Sequence, residues 1–126
     1  MAMLHETDPK AVILGKVGRL DGIEVWKNQV LCGVYERPER AKSGLYIADA
    51  TRDEDKFQGK VGLVLKLGPE AFKDDEKWTF AAKAAVGDWV FFRTSDSRAI
   101  TVNGKLCRLI DDTDIAGRID DPDMVY

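Results

Sequence analysis

A nucleophile activated by histidine has one candidate base in this sequence, His5, and it stands close to the N-terminus. A Ser–His or Cys–His pair needs its base held against the nucleophile by the fold, so His5 is poorly placed for that work. No Cys-x-x-Cys or His-x-Glu spacing occurs, which removes the common zinc sites. Gly62 to Gly68 lacks the Lys-Ser/Thr step that holds phosphate and magnesium, and Gly15, Gly18 and Gly22 do not make a dinucleotide fingerprint. Asp112, Asp114, Gly117, Asp121 and Asp123 echo the spacing of a calcium loop. Ala116 fills a ligand position, however, Asp123 is too short for the bidentate glutamate, and no helical pattern flanks the run, so a solvated acidic tail is the expected role. Asp53, Glu54 and Asp55 lie in a polar stretch with no apolar surroundings to raise a carboxyl pKa. The residues therefore point to a non-enzyme that uses no metal and no cofactor.

Composition narrows the partners. A length of 126 residues suits one domain, with a core sufficient without covalent staples. The net charge is −3, and the densest basic group, Arg37, Arg40 and Lys42, is diluted by Glu36 and Glu39. Displacing counterions from phosphate needs clustered cations, so nucleic acid is not an expected partner. The first residues lack a basic end followed by an apolar run, and no stretch approaches the roughly 18 apolar residues that span a bilayer. No membrane partner is expected, and the expected location is the cytoplasm or a particle assembled there. Cys32 and Cys107 each fall within an apolar strand pattern and read as small buried hydrophobes rather than as a disulfide.

The elements that must position any site are mostly strands. Ala11 to Leu14 is a short apolar run ended by Gly15 and Gly18. Gln29 to Tyr35 predicts a strand with Val30, Cys32 and Val34 on one face. Glu36 to Gln58 is polar, irregular and long for a connection, the kind of length that usually carries function or disorder. Gly59 to Leu67 alternates clearly, with Val61, Leu63, Leu65 and Leu67 at period two. Glu70 to Ala85 is ambiguous: a solvated turn, a short return strand at Trp78 and Phe80, and a helical turn over Ala81 to Ala85 all suit it. Trp89 to Arg93 predicts a buried strand. Asn103-Gly104 between the apolar runs 98–102 and 105–110 predicts a tight hairpin, because both turn residues must take positive φ. Short strands with regular turn signals predict an all-β fold, a small barrel.

From Asn28 to Ala116 the chain resembles the GroES family, the chaperonin small subunits. The strand Asn28 to Tyr35 leads through a charged stretch to Ser43-Gly-Leu-Tyr-Ile47, which is similar to the glycine-plus-apolar grip of that family's mobile loop. The strand Gly59 to Gly68, the motif Val86-Gly-Asp-Trp-Val-Phe-Phe92, and the hairpin Ile100 to Ile110 with its closing segment follow in the family's order. The Gly-Asp-Trp-Val-Phe-Phe and Asn-Gly combination looks most like divergent phage-encoded members.

The resemblance implies a homo-oligomeric co-chaperonin, a ring-forming GroES-like barrel that caps a chaperonin chamber. Its docking residues would be Gly44, Leu45, Tyr46 and Ile47, inserted into the chaperonin large subunit, with nucleotide acting on that partner alone. The expected organisation is an N-terminal extension over 1–27, the barrel over 28–116 and a tail over 117–126. The sequence departs from the family at Trp26 to Val30, where a Pro-Leu-x-Asp-Arg pattern is usual, and over Pro69 to Ala85. Val12, Ile13 and Leu14, with Met124, Val125 and Tyr126, are candidate assembly arms; frayed termini or an edge strand are the plain alternative. An alternative function is a virion structural protein, a capsid decoration or cement protein that staples phage capsid protein with the same fold. An enzyme on the related barrel of zinc alcohol dehydrogenases is disfavoured, since it needs metal ligands and a nucleotide-binding domain.

Overall fold

The computed structural model describes residues 3–4, 8–36, 40–41, 60–73 and 83–125, with side chains over 8–36, 60–73 and 83–124. A two-residue strand, β1 (Met3–Leu4), comes first, followed by the helix α1 (Pro9–Val17). Asp8 caps the helix by accepting the Lys10 N–H at 3.0 Å, and Pro9 occupies its first turn. Lys16 lies in the last turn, where the helix dipole favours a cation. The chain stops at Gly18, whose φ of +64° suits glycine and whose N–H returns to the Leu14 carbonyl. These signals outweigh Gly15, which costs a helix interior about 1 kcal/mol relative to alanine. The apolar run at 11–14 is therefore helical and continues through Gly15, where the sequence suggested that it stopped.

The remaining strands are β2 (Gln29–Val34), β3 (Arg40–Ala41), β4 (Val61–Leu67), β5 (Trp89–Phe92), β6 (Ser97–Val102), β7 (Lys105–Asp111) and β8 (Ile115–Ile119). Six of them form one antiparallel sheet in the order β6-β7-β2-β4-β5-β8, and β1 pairs with β3 separately. The fold is thus mostly β, as the sequence predicts. Among the described residues the sheet is open, with β6 and β8 as its edges. The β6–β7 turn is the expected two-residue hairpin, with Asn103 at φ +50° and Gly104 at +83°.

Both faces of the sheet are covered. One carries Leu31, Tyr35, Leu63, Leu65, Trp89, Val102 and Cys107 together with Ile13 and Val17 of α1. The other carries Val30, Cys32, Val64, Val90, Phe92 and Ile110 against Ala71, Phe72 and Ala84. Cys32 and Cys107 are free and buried, as expected, and they belong to opposite faces, so neighbouring strands bring them near without letting them pair.

Two irregularities set which face each side chain takes. In β4, Lys66 opposes Leu31 and Val64 opposes Cys32, which leaves Leu65 as an extra residue. This bulge corrects the simple alternation: Leu65 stays with Val61 and Leu63, but Leu67 turns to the other face. In β8, Ile115 opposes Phe92 and Gly117 opposes Phe91, so Ala116 is extra. A Cβ on Gly117 would lie 2.5 Å from the Phe91 ring, so the bare glycine is what lets the aromatic lie over the edge strand. β8 also runs past residue 116, so the expected boundary between barrel and tail falls inside a strand.

Candidate partner-docking site

The connection between β2 and β4 spans residues 35–60, and its two ends are fastened together. The Tyr35 N–H donates to the Val61 carbonyl at 2.9 Å, next to the paired Val34 and Gly62. The Tyr35 ring is fully buried and meets Trp89 edge-on at 5.4 Å between centroids. Its hydroxyl donates to an Asp123 carboxylate oxygen, which ties the chain beyond β8 to the same point. A buried tyrosine hydroxyl requires such a partner, so the aromatic anchor and the acidic residue are one device.

Glu36 follows directly. Its Oε1 lies 3.1 Å from Lys105 Nζ, and its Oε2 lies 4.0 Å from Lys16 Nζ at the end of α1. Lys105 is only 4% exposed, although it begins β7 directly after the hairpin turn. Burial holds the Lys105 ammonium below the usual lysine range, against the pull of Glu36. An indentation of about 250 Å³ opens beside these groups, bordered by Asn103, Gly104 and Leu106. Asn103 Nδ2 donates to the Val17 carbonyl, one of the last orphan acceptors of α1, so hairpin, helix and loop root meet here. Beyond Glu36, β3 pairs with β1, with Met3 opposite Ala41 and Leu4 opposite Arg40.

The predicted docking residues Gly44, Leu45, Tyr46 and Ile47 lie outside the described residues. Of the candidate arms, Ile13 is 3% exposed and packs into the core over Gly33, whose missing Cβ makes the room. It is therefore a core residue where an arm was expected, because the helical period turns it inward while Val12 and Leu14 stay exposed. Met124 is exposed within the short 3-10 turn Pro122–Val125, and Tyr126 lies outside the described residues. The acidic positions that echoed a calcium loop are dispersed. Asp112 is buried and accepts from Asn28 Nδ2 and the Phe72 N–H, Gly117 sits in β8, and Asp123 serves Tyr35.

Sequence reasoning missed Tyr35, Glu36, Lys105 and Asp123 as the posts of the loop. The one local signal was Lys105 itself: it stands two residues before Cys107, on the face that β7 buries.

An apolar groove of about 520 Å³ lies elsewhere, between the chain at Ile23 to Trp26 and the β6–β7 hairpin, with Ile100, Val102 and Leu109 in its walls. Trp26 at its rim is 64% exposed. Among the described residues, no helix is long and apolar enough to cross a membrane, and no group of three or more His, Cys, Asp or Glu could hold a metal ion.

No curated protein matches the chain. The sequence model of the chaperonin 10 Kd subunit family matches residues 22–119, a span that begins at the groove-lining segment and ends with β8. With that span, the strand order and the fastened loop in place, the chain belongs to the chaperonin 10 Kd subunit family, the GroES-like co-chaperonins.

Proposed function

We propose that this chain is a co-chaperonin that docks on a chaperonin ring through Leu45, Tyr46 and Ile47, and that it performs no catalysis of its own. The observation that carries the reading is the family match over residues 22–119, within which the long connection leaves and re-enters the sheet at one fixed point. A loop with joined roots can carry an apolar grip away from the body without disturbing the sheet.

Burying three such side chains gains roughly 1.5–3 kcal/mol each, and ordering the backbone costs about 1–2 kcal/mol per residue. One loop therefore binds weakly, and useful affinity requires several loops on one assembly. Among the described residues β6 and β8 are edges at opposite ends of the sheet, which supports head-to-tail association of copies that closes into a ring when the rotation allows.

The test combines native sizing with suppression of a chaperonin's ATPase, using the wild type and the double variant Leu45→Asp, Ile47→Asp. The wild type should form a discrete oligomer and suppress the ATPase, and the variant should keep the fold and lose the suppression. An equally active double variant would remove the tripeptide from the docking role. Stoichiometric presence on phage particles, with no effect on the ATPase, would favour the capsid-cement reading.

A further inference from the structure

The strand β1 and the helix α1 precede the family match, and they hold the chain that leaves β2 in two places. At the first, Lys16 of α1 stands with Lys105 on either side of the Glu36 carboxylate. At the second, four residues further on, β1 pairs with β3 through the backbone.

The helix is a firm mount for both holds. Ile13 and Val17 are buried in the core, Asp8 caps one end, and Asn103 binds the other. From Leu4 to Pro9 the chain takes five Cα steps, so β1 is leashed within roughly 18 Å of the helix start. A pair of two-residue strands is too short to persist by itself. Here both strands are tethered, β1 to α1 and β3 to Glu36, and the tethers supply the effective concentration that so short a pairing requires.

We propose that β1 and α1 form a splint that fixes the direction in which the chain departs from β2 toward Gly44–Ile47. The ion cluster at Glu36 sets the exit, and β1 holds the next segment extended. Less of the chain then has to be ordered at the moment of docking, which strengthens the grip without adding a contact to the partner. This role rests on the reading of 44–47 as the docking element, whereas the β1–β3 register stands apart from it.

The experiment has two arms. In the first, Met3→Cys is combined with Ala41→Cys. Directly opposed residues of an antiparallel pair lie within reach of a disulfide, and the native cysteines are buried. Mild oxidation should form the 3–41 bond within one chain, detected as an intramolecular cross-link by peptide mass spectrometry. Absence of that bond overturns the splint whatever the chaperonin does.

In the second arm, docking on a purified bacterial chaperonin ring with ATP is compared for the wild type, the cross-linked variant and a deletion of residues 2–7 that keeps the Asp8 cap. The cross-linked protein should dock at least as tightly as the wild type, and the deletion at least fivefold more weakly with its circular dichroism unchanged. A deletion that docks like the wild type overturns the splint and leaves the docking reading intact. A wild type that does not dock at all overturns the docking reading, and the splint's purpose with it, even where the cross-link forms.

Discussion

Lys105 Nζ lies 3.1 Å from Glu36 Oε1, and the two residues join the β6–β7 hairpin to the root of the connection between β2 and β4. The lysine is almost wholly buried and the glutamate is about a quarter exposed, so the members of the pair are not equivalent. Removing the glutamate strands a charge inside the protein, whereas removing the lysine leaves a carboxylate with access to water and with Lys16 nearby. Breaking a buried pair by deleting one partner typically costs several kcal/mol, while replacing a buried ion with an apolar side chain of similar volume is often close to neutral. Glu36→Gln should therefore destabilise the chain by about 3 kcal/mol, and Lys105→Met by less than about 1 kcal/mol, in urea unfolding at neutral pH. Equal losses for the two variants would show that the pair does not carry this asymmetry.

The same lysine gives a pH dependence whose sign is fixed by its direction of shift. Burial lowers the Lys105 pKa in the folded chain below its unfolded value near 10.5. Between the two values the unfolded chain binds more protons, so raising the pH through that window stabilises the folded form. This contribution is fully present above the unfolded value and is lost as the pH falls through the lowered one. The measurement is the difference between the wild type and Lys105→Met, which isolates this one group. Unfolding free energy of the wild type should gain on that of the variant as the pH approaches 10.5; a flat difference would contradict the shift.

The parts of this fold that were legible in the sequence are those with a local cause. Asn103-Gly104 specifies its turn because both residues must take positive φ, and the alternation of Val61, Leu63 and Leu65 specifies a strand with one face in the core. The displacement of Leu67 was not legible, since the bulge at Leu65 exists only in the register with β2. The helix α1 was written in its caps, Asp8-Pro9 and Gly18, but four apolar residues in a row have no period by which to separate a helix from a strand. The proposed docking tripeptide was read by likeness to a family, and the fastening of the loop roots was not, because Glu36 and Lys105, like Tyr35 and Asp123, are far apart in sequence and meet only after the sheet forms.

Gly33 and Ile13 are coupled through a missing atom. A Cβ on Gly33 would lie 2.5 Å from Ile13 Cγ2, on the line where α1 crosses β2. Gly33→Ala should push the helix outward and cost about 1–3 kcal/mol by overpacking. Ile13→Ala should cost about 2–4 kcal/mol through the lost side chain and the cavity left behind. In the double variant the new methyl enters space that isoleucine has vacated, so its loss should fall short of the sum by about 1 kcal/mol or more. Additive losses from denaturant unfolding would mean that α1 does not rest on Gly33.

Asp112 closes the far end of β7 with three hydrogen bonds to two residues. Its carboxylate accepts from Asn28 Nδ2 at 2.7 Å and from the Phe72 N–H at 2.9 Å, and its own N–H donates to the Asn28 carbonyl at 3.0 Å. Phe72 has a φ of +56°, an uncommon conformation for an aromatic residue, and the buried carboxylate constrains the turn that places this residue in the cluster with Val30 and Val90. Asp112→Ala removes the acceptor and leaves the Phe72 N–H buried without it, which should cost about 2–4 kcal/mol, above the value for one ordinary hydrogen bond. Asp112→Asn keeps one carbonyl acceptor and should recover about half of that. The turn is also the local reporter: amide exchange at Phe72 should rise in Asp112→Ala by more than exchange in the central strands β2 and β4. If exchange rises equally everywhere, Asp112 stabilises the molecule globally and does not hold this turn.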